Sequence, residues 1–298
     1  MIDQIFSGTT SFLRQTLLIF MIGICFFFSA CNSHNKAESY PSPKSYNLNK
    51  PYFYILPPEL DEISGIVYYP KDKAVFAIHD ERGWLYKIYL DKKVTIKKWK
   101  YAHGADFEDL VVVDSTFYAL QSNGIIIAFR FISPDSITER SYQYTKGGKK
   151  EFEVLYPDPT RKKLIMVCKD CETDEKSRTS AIAFDNKQEK FLDSPAFVID
   201  AGEIEKKLGK SMGKFKPSAA AINPLTGKLY IVSSVNKLLV ITDMNGKIEE
   251  VYPLNSKLFK QPEGLAFTPA GDLLISNESA DIGPANILLF KINESTRQ

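Results

Sequence analysis

Hydrophobic positions in this chain fall in short runs separated by turn residues, and the runs recur in sets. Each set opens on a polar motif that leads into an apolar strand: Glu62-Ile63-Ser64-Gly65-Ile66, Asp106-Phe107-Glu108-Asp109-Leu110, Glu151-Phe152-Glu153-Val154-Leu155, Lys216-Pro217-Ser218-Ala219-Ala220 and Gln261-Pro262-Glu263-Gly264-Leu265. Measured at the Ser/Glu position, successive motifs are 44, 45, 65 and 45 residues apart. A turn marked by Pro or Gly follows, as in Tyr69-Pro70, Asp158-Pro159, Asn223-Pro224-Leu225-Thr226-Gly227 and Thr268-Pro269-Ala270-Gly271, since Pro presets φ and Gly tolerates the left-handed region. Second strands are predicted over Ala74–Ile78, Phe117–Gln121, Leu164–Cys168, Leu229–Ser233 and Leu273–Ser276. Third strands alternate, as in Trp84–Ile88 and Leu238–Ile241, and fourth strands are more polar, as in Thr95–Tyr101 and Lys247–Tyr252.

Antiparallel strands repeating in fours every 45 residues or so predict an all-β fold, a β-propeller. The repeat count predicts five blades rather than six. A β-sandwich with a similar number of strands has no reason to repeat at this period. The last unit, from Gln261, has room for only three strands, ending in Ile287–Ile292. A spare strand, Tyr52–Leu56, lies ahead of the first unit. Pairing it with the last blade would close the ring and leave no open edge between first and last blades. The long step holds Gly202–Gly209, predicted to be a short surface helix inside blade three.

The start of the chain reads as an address. Leu17 to Phe28 is an uncharged apolar run of 12 residues, shorter than the roughly 20 a spanning helix needs and of the length of a signal-peptide core. Phe28-Ser29-Ala30-Cys31 follows, with small residues before a cysteine. The expected organisation is a signal peptide over residues 1–30, a flexible tether over 31–50 lipidated at Cys31, and one propeller domain over 51–298. The competing reading is a plain secretory signal with an incidental cysteine. Lipidation would make the membrane a partner and place the protein on the periplasmic or outer surface.

Charge and composition remove several function classes. The 38 basic residues nearly balance 36 acidic ones, so no nucleic-acid partner is expected; the propeller is expected to be a monomer. Hydrophobic residues at 44% exclude wholesale disorder. The three histidines, His34, His79 and His103, form no HExxH pattern. Cys168-Lys169-Asp170-Cys171 lacks a thioredoxin-like context and reads as two ordinary cysteines or an exported disulfide. Gly209-Lys210-Ser211 resembles the end of a phosphate loop, but the earlier glycine of that motif is Ile204 here.

Candidate chemistry gathers where first strands line a propeller's central channel. Residues two apart on a strand share a face, so Glu62, Asp106, Glu108, Glu151, Glu153 and Glu263 are expected to face the axis together. Such crowding of carboxylates calls for a cation, and calcium takes six to eight oxygen ligands in flexible geometry. Glu108, Glu153 and Glu263 share one layer and are the first candidates, followed by Glu62, Asp106 and Glu151. The alternative is an ion-free channel in which Lys169, Lys216 and water satisfy these groups. Ends of the second strands place His79, Asp80, Glu81, Lys169, Asp170, Asn277 and Glu278 at one channel mouth, as a rim for a small or polymeric ligand.

Glu62-Ile63-Ser64-Gly65-Ile66-Val67-Tyr68 with Phe76-Ala77-Ile78-His79-Asp80-Glu81, and Gln261-Pro262-Glu263-Gly264-Leu265-Ala266-Phe267 with Ile275-Ser276-Asn277-Glu278, resemble the opening and closing blades of the SdiA-regulated family. The resemblance implies a five-bladed bacterial propeller, secreted or membrane-anchored, with a bound calcium ion, and no established activity to carry over. It also implies distant kinship to six-bladed propellers, some of them metal-dependent enzymes. Two positions depart from the pattern: Ser218-Ala219 replaces Glu-Gly, and Asp109 stands where Gly is commoner. The expected function is calcium and ligand binding by an anchored propeller. The alternatives are a calcium-dependent hydrolase of lactonase or phosphoesterase type, with His79 or a rim carboxylate as base, and a non-catalytic interaction scaffold.

Overall fold

Four-stranded antiparallel sheets form where the repeats predict them. A computed structural model of the protein describes residues 39–91, 93–279 and 283–293. The chain enters through β1 (Tyr52–Ile55) and then builds four sheets in sequence order. The first blade holds β2 (Ile63–Tyr69), β3 (Ala74–His79), β4 (Trp84–Tyr89) and β5 (Thr95–Lys100). The second holds β6 (Phe107–Val113), β7 (Thr116–Gln121), β8 (Ile125–Ser133) and β9 (Ser136–Gln143). In the third, β10 (Phe152–Asp158), β11 (Lys163–Cys168) and β12 (Arg178–Asp185) pair in order, and β13 (Lys190–Phe191) and β14 (Phe197–Asp200) share the outer edge of β12. The fourth holds β15 (Ala219–Ile222), β16 (Leu229–Ser233), β17 (Leu238–Thr242) and β18 (Ile248–Pro253). The fifth supplies β19 (Pro262–Phe267), β20 (Leu273–Asn277) and β21 (Asn286–Phe290), and β1 pairs antiparallel with β21, Tyr52 opposite Leu289. The protein is a five-bladed propeller closed by its N-terminal strand, as the repeat predicts.

Burial explains the run pattern. Second strands are covered by sheets on both sides, so β3, β16 and β20 are buried at every position. Fourth strands face solvent, and β5, with Lys97, Lys98 and Lys100, is largely exposed, a charged edge that resists pairing with other chains. An apolar cluster fills each interface between neighbouring blades. Phe76 meets Phe117 and Phe129 between the first and second, and Val167 meets Ile231 between the third and fourth. Ile63 meets Ile287 between the first and fifth, across the seam of the ring.

The insertion of the third unit forms α1 (Ala201–Leu208), the predicted helix. Asp200 caps it by accepting from the Gly202 N–H, Ile204 anchors it in the core, and Gly209 ends it at φ 72°.

One boundary differs from expectation. The tether predicted over 31–50 does not run free to its end, because the folded body begins at Tyr40. Tyr46 and Leu48 are each only 2% exposed. The Tyr46 hydroxyl donates to the Gly271 carbonyl at 2.6 Å and accepts from Asn223 Nδ2 at 2.9 Å. Two apolar side chains among polar neighbours were enough to dock this segment between the turns of the fourth and fifth blades. Residues 1–30 and Cys31 lie outside the described residues.

Candidate functional site

First strands converge on the axis, and each predicted motif sits at its strand's start. The second-strand ends close over them: the N–H groups of Asp80, Ser122, Lys169 and Glu278 donate to the carbonyls of Glu62, Asp106, Glu151 and Gln261 at 2.8–3.0 Å. This brings the motifs and the predicted rim into one polar mouth.

Strict alternation does not hold at the motifs. Glu108 is left unpaired between Phe107, opposite Gln121, and Asp109, opposite Leu120. Glu153 and Glu263 sit at the same irregularity in their strands, and the first blade has it between Ile63 and Ile66. These are β-bulges, which kink a strand and re-aim a side chain. A bulge lets two successive residues serve the axis. Glu108 turns to the polar mouth. Asp109 spans to the next blade, its Oδ2 accepting the Leu155 N–H at 2.7 Å and its Oδ1 the Leu110 N–H at 2.8 Å.

The motif's serines also join blades at the axis. The Ser64 hydroxyl donates to the Glu108 carbonyl. Ser218 donates to the Pro262 carbonyl at 2.5 Å, and Ser276 to the Ser64 carbonyl at 3.3 Å. Small residues are needed beside them. A Cβ at Gly65 would lie 2.6 Å from Asp109 Oδ1, and one at Gly264 would lie 2.8 Å from the Ser64 carbonyl. The departures Ser218 and Asp109 thus join neighbouring blades, as Ser64 and Ser276 do.

Charges at the polar mouth divide into two sectors. On the third and fourth blades the carboxylates are paired. Lys169 reaches Glu151 at 2.9 Å and also bonds Glu153, which is 6% exposed. Asp170 lies 2.8 Å from Lys214 and 3.6 Å from Lys216, and the Lys214 bond holds its carboxyl below the usual range. On the first, second and fifth blades acids crowd together. Burial, then Asp106 and Asp80, push the Glu108 carboxyl up to about 9 against the pull of Lys169. Burial, with the charge and hydrogen bond of Asp106, raises Asp80 to about 7. Glu263 rises to about 7, chiefly by burial, with the Ser234 hydroxyl and Lys169 opposing. Burial also raises Glu278, which accepts from Gln261 Nε2 at 2.9 Å. Asp106 is exposed and accepts from the Ser122 hydroxyl.

The first-choice trio of Glu108, Glu153 and Glu263 is not gathered to coordination distance. Among the described residues, one group of three metal-ligating side chains has its ligand atoms within 4.8 Å of one another, and it is Cys168, Cys171 and Asp174. Its two cysteines are joined in a disulfide, the exported-disulfide alternative. Lys169 draws Glu153 and Glu151 aside, and spacing along one strand carries no information about a lysine at the end of the next. Glu62 lies 3.6 Å from the imidazole of His79.

Rim residues are not all at the surface. His79 is fully buried. Its Nδ1 accepts the Glu81 N–H at 3.2 Å, so the ring proton sits on Nε2, 3.6 Å from both Asp61 Oδ1 and Glu62 Oε2. Burial lowers its pKa, which keeps the ring neutral. Asn277 is buried too and donates to Asn286 Oδ1 at 3.0 Å, while Glu81 is exposed. Asp80 Oδ1 is buried without a hydrogen-bond partner. Asp61, Ser122, Ser234 and Lys237, whose charge also draws the Glu263 carboxyl down, were not anticipated. The first three stand beside motif or second-strand residues, and that adjacency was the available signal.

Residues 55–282 match the model of the SdiA-regulated family. The glutaminyl cyclase of Myxococcus xanthus shares 13% identity, with a TM-score of 0.51 over 82% of this chain and 98% of that one. The virginiamycin B lyase of Staphylococcus aureus shares 14% identity, with a TM-score of 0.47 over 82% and 99% of the two chains. At such identities the likeness is one of fold. No curated protein matches the chain.

Proposed function

The chain belongs to the SdiA-regulated family, and from that premise we propose an exported, lipid-anchored propeller that holds a calcium ion at its polar mouth. The observation that carries the reading is Asp80. Its Oδ1 is buried without a partner, in a sector where Asp106 raises the proton affinity of Asp80 and Glu108, and Asp80 raises that of Glu108. A buried carboxylate oxygen without a donor is costly, and a hard cation with oxygen ligands removes that cost. Asp80, Asp106 and Glu108, whose ligand atoms do not lie together within 4.8 Å in the ion-free fold, would close about the ion as it binds, with Glu263 and Glu278 adding negative potential. Glu153 and Glu151, satisfied by Lys169, leave the ligand set. The ion would supply positive charge and open coordination positions for a ligand's oxygens, with the exposed Asp106 and Glu81 at the rim. His79 is too deeply buried to act as a base on a solvent-borne substrate, which favours binding over hydrolysis. Cys31 carries the anchor.

Melting curves in chelator and in excess calcium test the reading. At about 100 times its dissociation constant, calcium adds roughly 2.7 kcal/mol by mass action, because the unfolded chain barely binds it. Glu108→Gln should reduce that gain, yet stabilise the metal-free protein at neutral pH, because the Glu108 carboxyl, pushed up to about 9, must take up a proton on folding and Gln need not. A parent protein whose curve calcium leaves in place would remove the ion.

A further inference from the structure

The opposite end of the channel has a different chemistry. Below Asp109 the first strands open into an apolar cavity of about 350 Å³, lined by Tyr68, Val112, Tyr156, Ile222 and Phe267, one from each blade. That size falls in the range of small-ligand sites, which are concave, mostly apolar and few per protein. Asp109 forms its floor, and both carboxylate oxygens are already committed to backbone N–H groups. An entering molecule therefore meets a mostly apolar wall, the satisfied Asp109 and the side chain of Tyr156, whose buried hydroxyl has no hydrogen-bond partner.

The first-to-second-strand turns around this mouth carry three exposed lysines and one exposed carboxylate, Asp114 on the second blade. Lys71, Lys73 and Lys162 are exposed. The carboxylates nearest them in sequence are already held, Asp72 by Lys87 and Asp158 by Arg161 at 2.6 Å. Leu225, on the equivalent turn of the fourth blade, is 48% exposed. Cationic side chains beside exposed aliphatic surface suit an interface of anionic headgroups over acyl chains.

The N-terminal segment leaves the body on this side. Tyr46 packs against Phe267, ring centroids 6.4 Å apart, and bonds Asn223 and Gly271 in the turns of the fourth and fifth blades.

We infer that the apolar mouth is a lipid-chain site, which takes one acyl chain of an anionic membrane lipid while Lys71, Lys73 and Lys162 meet the headgroup. The cavity and its charge are independent of the Cys31 anchor proposed above.

A dansyl-labelled fatty acid, titrated into the full chain, reads the site without a membrane. The parent should bind one equivalent with a blue-shifted emission. Ile222→Glu, which places a carboxylate among the apolar lining, should weaken binding about tenfold or more, and Ile222→Leu should not. Both variants are compared in the same background, so the leader contributes equally, and cooperative melting confirms that each is folded. If Ile222→Glu fails to fold, a diazirine fatty acid crosslinked to the parent should label the peptides holding Ile222 or Phe267. Phosphatidylglycerol vesicles should displace the probe better than phosphatidylcholine vesicles, and changing Lys71, Lys73 and Lys162 together to Gln should erase that preference. Equal probe affinity in folded Ile222→Glu, crosslinks elsewhere, or equal displacement by the two vesicle types would overturn the proposal. Because Glu108→Gln should leave probe binding unchanged, failure here is distinct from failure of the calcium site.

Discussion

Two mouths of one channel, built by the same five strands, differ in almost every physical respect. At the polar mouth the strands begin, and at the apolar mouth they end. The difference arises at the bulge. Above it the side chains are Glu62, Glu108, Glu153 and Glu263; below it are Ile66, Leu110, Leu155 and Leu265. Asp109 stands at the change and joins the second blade to the third. A repeated motif therefore does two jobs. Its polar half supplies charge, and its apolar half holds the ring together and leaves a hydrophobic well. The polar mouth is also divided within itself, since lysines neutralise the third and fourth blades and none does so beside Asp80 and Asp106.

The sharpest break of the comparison is at the joint. Asp109→Ala strands the Leu110 and Leu155 N–H groups away from water, at about 1–3 kcal/mol each. Urea unfolding should show a loss of about 2–6 kcal/mol, with both mouths affected. A loss below about 1 kcal/mol would mean that Asp109 does not join the two halves.

Acidity should then act chiefly through the polar mouth, with Asp109 at the joint adding to it because burial pushes its carboxyl up as well. Glu108 titrates at about 9 in the fold, and Asp80 and Glu263 at about 7, whereas the unfolded chain releases these protons near 4 to 5. The fold thus holds more protons over this range, and stability in chelator should fall as pH rises from about 5 to about 9. Calcium should flatten the fall, and Glu108→Gln should remove its upper part. Melting midpoints across this range check it; a flat profile in chelator would show that the acidic sector is not crowded.

Within the polar mouth, Glu153→Gln should behave opposite to Glu108→Gln. It breaks the bond to Lys169 and should destabilise with and without calcium, by about 1–3 kcal/mol. Equal signs for the two variants in chelator would erase the distinction between paired and unpaired sectors. Smallest of all should be the stability change on replacing Lys71, Lys73 and Lys162 by Gln, expected within about 0.5 kcal/mol because these side chains are exposed and unpaired. A larger shift in melting would show that those lysines serve the fold.

The order of strands, the count of blades, the closing strand and the inserted helix were legible in the sequence. They follow from local periodicity and from the need of each sheet to bury both faces against neighbours, and a 45-residue repeat satisfies that need in few ways. What occupies the axis was only partly legible. Alternation aimed Glu108 and Glu263 inward correctly, but it could not see the bulge, which comes from the packing of adjacent first strands at Gly65 and Gly264. Nor could it see that Lys169 takes Glu153, that His79 lies under the rim, or that Tyr46 and Leu48 dock residues expected to be free. Each of these depends on partners distant in sequence, between 16 residues for the Lys169–Glu153 bond and 225 for Tyr46 and Gly271. The sequence by itself determined the ring, because its pattern is local and repeated. Tertiary structure alone decided which charges inside the ring are neutralised and which remain, because that depends on where unrelated strand ends meet.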